Sequence, residues 1–217
     1  MKPKAVLFDF DGTLADTENV HVAAWQRTLA RMGWELADEA AARAAEIDDR
    51  YFLQELFGRR KIEGADIDGW IRLKQDVAEM MLTDAPRLYP GVGELVRSLR
   101  KKGVRLAVVT TTWRRNVEVV LGASGLAEAF ELIVGKEDVT SVKPSPDAYD
   151  LALRRLKIPA GEAVALEDSP TGLASARAAG VEAVAVGHRR REGEWSGGHR
   201  FLADLGSTEQ ALKVLGL

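Results

Sequence analysis

Five short apolar runs set the limits on how this chain can fold: Ala5–Phe8, Val104–Val109, Leu132–Val134, Ala163–Leu166 and Val181–Val186. None exceeds six residues, the pattern of strands buried on both faces. Helical spacing separates most of them. Val92, Leu95, Val96 and Leu99 recur at i, i+3, i+4, i+7, and Gly103 then stops that helix. Tyr149, Ala152, Leu153 and Leu156 repeat the spacing behind Ser145 as N-cap and Pro146 as first helical residue. Ser169-Pro170 opens a further helix, closed by Gly180. Strands alternating with helices from residue 90 onward predict an α/β fold whose parallel sheet is covered on both faces. In such sheets ligands bind at the carboxyl ends of the strands.

Residues 16–86 break the alternation. Val22, Trp25, Leu29 and Met32 form an apolar stripe followed by Gly33, and Ala40–Ala45, Tyr51–Phe57 and Asp68–Leu82 read as further helices. This predicts a helical-bundle cap domain, 16–86, inserted after the first strand of a core made of 1–15 and 87–217. The hinges fall at Leu14–Thr17 and Thr83–Tyr89, where Pro86 and Pro90 limit the backbone. Such helices can also pad a core. Their entry at the ligand-binding end of the sheet favours a lid.

Composition narrows the function classes. The chain has 217 residues, 46% hydrophobic, with a formal net charge of −3. That balance points to no nucleic acid and no membrane as partner. The absence of cysteine excludes disulfides, thiol catalysis and cysteine-bound zinc. Lys2 and Lys4 lead straight into a short strand, without a signal-peptide core, and no apolar run can span a bilayer. We expect a soluble cytoplasmic protein, acting as a monomer.

The chemistry concentrates at strand ends. The first strand runs into Asp9 and Asp11, which point the same way along an extended backbone, and Gly12 lets the chain turn away. Two acids there need a cation between them, and Mg2+ prefers oxygen ligands while sharing its shell with a phosphate. A calcium loop would need an acidic or amide residue at 13 and a Glu at 20, where the chain has Thr13 and Val20. The second strand ends at Thr110, followed by Thr111 and Thr112. A hydroxyl there suits a phosphoryl oxygen, though threonines after a strand are more often β-propensity or capping. Lys143 precedes Pro144, which fixes the backbone beyond it, yet most lysines are merely solvated. The fourth strand ends in Glu167-Asp168, and Asp168 would complete a magnesium site with Asp9 and Asp11.

Taken together these residues resemble the haloacid dehalogenase superfamily over essentially the whole chain. Its first motif, Asp-x-Asp-Gly-Thr, is Asp9 to Thr13; its second, third and fourth are Thr110, Lys143 and Glu167-Asp168. The resemblance implies a Rossmann-like core with the cap of the β-phosphoglucomutase-like branch, a similarity strengthened by His21 and Trp25. It implies Asp9 as nucleophile forming an aspartyl-phosphate and Asp11 as general acid and base. It implies Lys143 and Thr110 as stabilisers of phosphoryl charge. Magnesium is then held by the Asp9 side chain, the Asp11 backbone carbonyl and Asp168, with Glu167 in contact or one shell removed.

Substrate contacts in this family come from the cap and from residues after the second motif, here Thr111, Thr112, Trp113 and Arg114, with His21 and Arg50 from the cap. The β-phosphoglucomutases carry a Gly-x-x-Ser-Arg pattern in the cap and a Lys after the second motif. This chain has Glu46-Ile47-Asp48-Asp49-Arg50 and Trp113-Arg114 instead. The expected activity is a phosphatase for a small phosphorylated substrate such as a sugar phosphate. Sugar-bisphosphate phosphatases associated with carbon fixation are also similar. A phosphomutase is the alternative, with Arg50 or Arg114 holding the distal phosphate. A non-catalytic binding protein is a third reading, opposed by the intact motifs. The basic loop at 188–191 reads as solvated, because Glu192 and Glu194 follow it.

Overall fold

A computed structural model gives the architecture, and it describes residues 2–84, 87–188, 192–195 and 200–217. Pro86 of the second hinge and the arginines of the basic loop lie outside the described residues. The chain divides into two compact units, Met1–Asp16 with Pro86–Leu217, and Thr17–Ala85.

The first unit is built on a six-stranded sheet of β1 (Ala5–Phe8), β2 (Arg105–Val109), β3 (Leu132–Val134), β4 (Ala163–Glu167), β5 (Glu182–Val186) and β6 (Arg200–Leu202). All pairings are parallel and the order is β3-β2-β1-β4-β5-β6. Five of these strands follow the apolar runs in the sequence; β6 does not, being three residues long and opening on an arginine. The core helices are α5 (Val92–Lys101), α6 (Arg114–Ala123), α7 (Asp147–Leu156), α8 (Pro170–Ala178) and α9 (Thr208–Leu215). Ala5, Leu7, Ala107, Val109, Ala165 and Ala185 point to one face and pack with Tyr149, Ala152 and Leu156 of α7 and Leu173 and Ala176 of α8. Alternate residues such as Val6, Phe8, Val108 and Leu166 turn to the opposite face and are equally buried. Each such apolar side chain stabilises the fold by about 1.5–3 kcal/mol.

Helix ends follow local chemistry with one shift. Ser169 caps α8 by accepting from the Gly172 N–H at 3.0 Å, with Pro170 as its first residue. Pro146 instead stands at the cap position of α7, which starts at Asp147.

The second unit holds α1 (Glu18–Ala30), α2 (Asp38–Glu46), α3 (Asp49–Arg60) and α4 (Ile67–Asp84). Trp25 and Leu29 are buried as the stripe predicts, but Met32 is 58% exposed. The helix stops at Ala30 and the chain turns through Gly33, which rotates Met32 off the apolar face. The interior of this unit is partly polar. Lys74, 3% exposed, donates to Asp49 Oδ1 and Oδ2 at 3.1 and 3.0 Å and lies 3.2 Å from His21 Nδ1. Trp25 Nε1 and Gln75 Nε2 donate to the same carboxylate. No helix among the described residues is long and apolar enough to cross a membrane.

Candidate active site

Strand register brings the acidic residues level. Phe8 pairs with Val108 on one side and Leu166 on the other, so Asp9, Val109 and Glu167 share the next row at the carboxyl edge. The Asp9 N–H continues the ladder to Leu166 O at 2.9 Å. Three residues further, Gly12 has φ +82, and a Cβ there would overlap the Asp168 carboxylate. Glycine is required at that turn both by its dihedral and by the closeness of Asp168.

Lys143, whose peptide bond to Pro144 is cis, enters this row. Its Nζ donates to Asp9 Oδ1 at 2.6 Å, Glu167 Oε1 at 2.6 Å and Val109 O at 2.8 Å. Those bonds use all three protons of the ammonium. Burial opposes its charge, but the fields of Asp9 and Glu167 outweigh that and hold it protonated far above neutral pH. Burial pushes the Asp9 carboxyl well up, the ammonium of Lys143 pulls it back, and Glu167 and Asp168 push it further. Asp168 is pushed up to about 7, first by burial and then by the charge of Glu167.

Asp9, Glu167 and Asp168 each bring a carboxylate oxygen within 4.8 Å of the others. Glu167 Oε2 is buried with no hydrogen-bond partner among the described residues. Lys143 is the cation that reaches two of these acids, so the cluster carries excess negative charge in a dry setting. A hard divalent cation fits this donor set. The Asp11 carboxylate is not part of the cluster. It accepts a hydrogen bond from Thr112 Oγ1, leaving its backbone carbonyl as the group the resemblance assigns to the metal.

The other sequence candidates fall into place around this row. Thr110 is buried, and its Oγ1 accepts the Thr112 N–H at 3.0 Å, a bond that uses a lone pair and not the hydroxyl proton. Thr111 is exposed. Trp113 lies with Lys136 Nζ 5.9 Å from its ring centre, and its Nε1 is buried without a partner among the described residues. Arg114 pairs with Asp138, which also takes Arg155 at 3.2 Å and the Gly135 N–H at 2.9 Å. In the cap unit, His21 belongs to the Lys74–Asp49 network, while Arg50 pairs with Asp68 on the surface.

Two contributors escape sequence reasoning. Tyr149, read as one member of an apolar stripe, donates its hydroxyl to Glu167 Oε1. Gly172 stands where a Cβ would overlap the Glu167 carboxylate. A phenol inside an otherwise aliphatic stripe is the only signal the sequence offers for either.

Comparison with known proteins agrees with this geometry. The family model of the haloacid dehalogenase-like hydrolases matches residues 6–186, which contain every strand-end group described above. The chain is a haloacid dehalogenase-like hydrolase. Within that family it is an enzyme of the phosphoric monoester hydrolase type. The hydrolase is 36% identical to protein CbbY of Cereibacter sphaeroides, over 94% of each chain. It is 28% identical to a phosphorylated carbohydrates phosphatase of Thermotoga maritima, over 88% of each. A crystal structure of a mutant CbbY from Rhodobacter sphaeroides in complex with xylulose-(1,5)bisphosphate superposes with a TM-score of 0.83 at 34% identity, covering 94% of this chain and 96% of that one.

Proposed function

We propose that this hydrolase is a magnesium-dependent phosphatase that releases inorganic phosphate from a small phosphorylated sugar through an aspartyl-phosphate on Asp9. The observation that carries the reading is the row in which Lys143 lies 2.6 Å from both Asp9 and Glu167, beside Asp168. Such a row combines a nucleophile, a fixed positive charge and a donor set for a cation.

A carboxylate oxygen of Asp9 attacks phosphorus in line, forming the Asp9–phosphorus bond as the bridging phosphorus–oxygen bond breaks. Asp11 gives its proton to the leaving alcohol oxygen. It then takes a proton from the water that attacks the aspartyl-phosphate, which releases phosphate and restores Asp9. Thr112 holds Asp11 by its hydrogen bond and so fixes where that proton is delivered. The positive charge of Lys143 and the hydroxyl proton of Thr110 stabilise charge on the equatorial oxygens. Magnesium held by Asp9, Asp168, the Asp11 carbonyl and Glu167 would offset repulsion between anionic nucleophile and anionic phosphate.

Phosphatase is favoured over mutase because a mutase must hold a second phosphate. In this structure Arg114 pairs with Asp138, and Arg50 pairs with Asp68 at the surface. Trp113 offers an aromatic face suited to a sugar ring but no charge. The compounds to test set sugar monophosphates, which need no second phosphate site, beside xylulose 1,5-bisphosphate, the ligand in the complex of the related CbbY. Phosphate release is measured across a panel of sugar phosphates with magnesium and with EDTA. Asp9→Asn should lose at least about a thousandfold in turnover, as expected when a nucleophile is removed. Turnover of that variant within tenfold of wild type, or full activity in chelator, would sink the assignment. Glucose 6-phosphate formed from β-glucose 1-phosphate and a trace of the 1,6-bisphosphate, faster than phosphate release, would promote the mutase.

A further inference from the structure

We propose that Tyr149 is a positioning residue of this site: its hydroxyl holds Glu167 in the orientation that lets Asp9 keep its share of Lys143 and leaves the second Glu167 oxygen without a protein partner. The kinetic part of the proposal rests on the phosphatase reading; the metal-binding part does not.

Packing explains the ring of Tyr149 but not its hydroxyl. The side chain is fully buried on α7 among Leu7, Val109, Ala165 and Leu173, where a phenylalanine would fill the same space. A buried hydroxyl is tolerated only with a partner, and the partner here is Glu167 Oε1. That oxygen also receives Lys143 Nζ at 2.6 Å, and Lys143 stands 5.4 Å from the Tyr149 ring centre. One residue therefore touches both members of the ion pair, the carboxylate through its hydroxyl and the ammonium through its aromatic face.

The consequence follows from competition. Asp9 and Glu167 draw on the same ammonium at equal distance. A hydroxyl donating to Glu167 Oε1 withdraws charge from it and weakens its pull on Lys143. On another side, the backbone of α8 at Gly172 approaches so closely that a Cβ would strike the carboxylate. Glu167 is thus clamped between a donor and a wall, and its Oε2 stays unbonded. Without the hydroxyl, both oxygens of Glu167 are released to compete for Lys143. The ammonium moves away from the place where the phosphoryl oxygens are charged, and the acidic cluster loses one oriented donor.

The test is Tyr149→Phe, alone and in a Glu167→Gln background. Four quantities are measured: kcat and KM for phosphate release, the magnesium dissociation constant by calorimetry without substrate, and the thermal transition. Loss of a hydrogen bond to a charged group should lower kcat about tenfold with KM within about twofold. Magnesium binding should weaken by about threefold or more while the melt stays cooperative. In the Glu167→Gln background the effect on kcat should shrink to less than about twofold, because the two residues act as one unit. Wild-type kcat and magnesium affinity in Tyr149→Phe would overturn the proposal. So would an equal loss in both backgrounds, which marks general damage to the core. If Tyr149→Phe does not melt cooperatively, 3-fluorotyrosine incorporated at 149 keeps the ring and strengthens the donor; a magnesium affinity unchanged from wild type would then overturn it. A wild-type protein that hydrolyses no phosphomonoester would remove the phosphatase reading, and the magnesium titration would still decide the role of Tyr149.

Discussion

Lys143→Met deletes an ammonium while keeping an unbranched side chain of similar length in the same slot. The Lys143 side chain is 4% exposed, that of Asp9 11% and that of Glu167 fully buried. The variant leaves two carboxylates in a dry site beside Asp168 without the cation that pairs with both among the described residues. Removing one partner of a buried ion pair costs about 3–5 kcal/mol, because the remaining charge stays desolvated. The lost bond to Val109 O adds about 1 kcal/mol. Uptake of a proton by a carboxyl already pushed up by burial offsets part of this. The net expectation at neutral pH is a loss of about 3–4 kcal/mol, a large share of the 5–15 kcal/mol typical of a folded domain. Denaturant unfolding in EDTA measures it, as a shift of midpoint at constant slope. Saturating magnesium should restore part of the loss, since the ion binds only the folded cluster. Lys143→Arg should lose less than half as much. A deficit below about 1 kcal/mol for Lys143→Met would refute the claim that this ammonium compensates the acidic row.

Three further outcomes are expected. Gly12→Ala places a side chain at φ +82 and into the Asp168 carboxylate, so stability should fall by about 1–2 kcal/mol from the backbone alone and magnesium affinity should drop; denaturation within about 0.5 kcal/mol of wild type would contradict this. In the cap unit, Asp49→Ala takes the carboxylate from buried Lys74 and from Trp25 Nε1, with an expected loss of about 3 kcal/mol or more by thermal or urea unfolding. His188 stacks on Tyr89 at 3.8 Å, and burial lowers its pKa from the ordinary 6.5 despite the opposing charges of Asp204 and Asp16. A lowered histidine contributes stability above the unfolded-state value that is lost as pH falls through 6.5 toward the folded value; an NMR midpoint for its ring at or above 6.5 would refute the burial argument.

The parallel sheet was legible because strands buried on both faces have no polar face to confuse the pattern. Ala5–Phe8 and Ala163–Glu167 announce themselves as apolar runs ending in acid. The strand-end groups were legible for the same reason: Asp9 and Glu167-Asp168 interrupt those runs abruptly. β6 was not, since Arg200-Phe201-Leu202 is too short to show a period. Periodicity placed Tyr149 on the buried face of its helix, but it cannot say which atom a hydroxyl meets across the sheet. Arg114 and Arg50 looked free in sequence, yet they pair with Asp138 and Asp68, residues 24 and 18 positions away. Lys74 sits in a helix whose charged neighbours are exposed, and only tertiary packing reveals it as buried.

The ends of the inserted segment are tied together by the core itself. Asp16 N–H donates to Arg87 O at 2.9 Å, Tyr89 N–H to Leu14 O at 3.0 Å, and Ala15 bridges Leu88 in antiparallel fashion. This clasp acts like the stem of a hairpin whose loop happens to be a domain. Stretching a two-residue connection to about seventy residues is roughly five doublings, at about 0.6 kcal/mol each, so closing it costs the core about 3 kcal/mol. That charge depends on length and hardly at all on what the inserted residues are. A chain with such a stem can exchange one insertion for another while the rows of strand-end chemistry beneath stay in register.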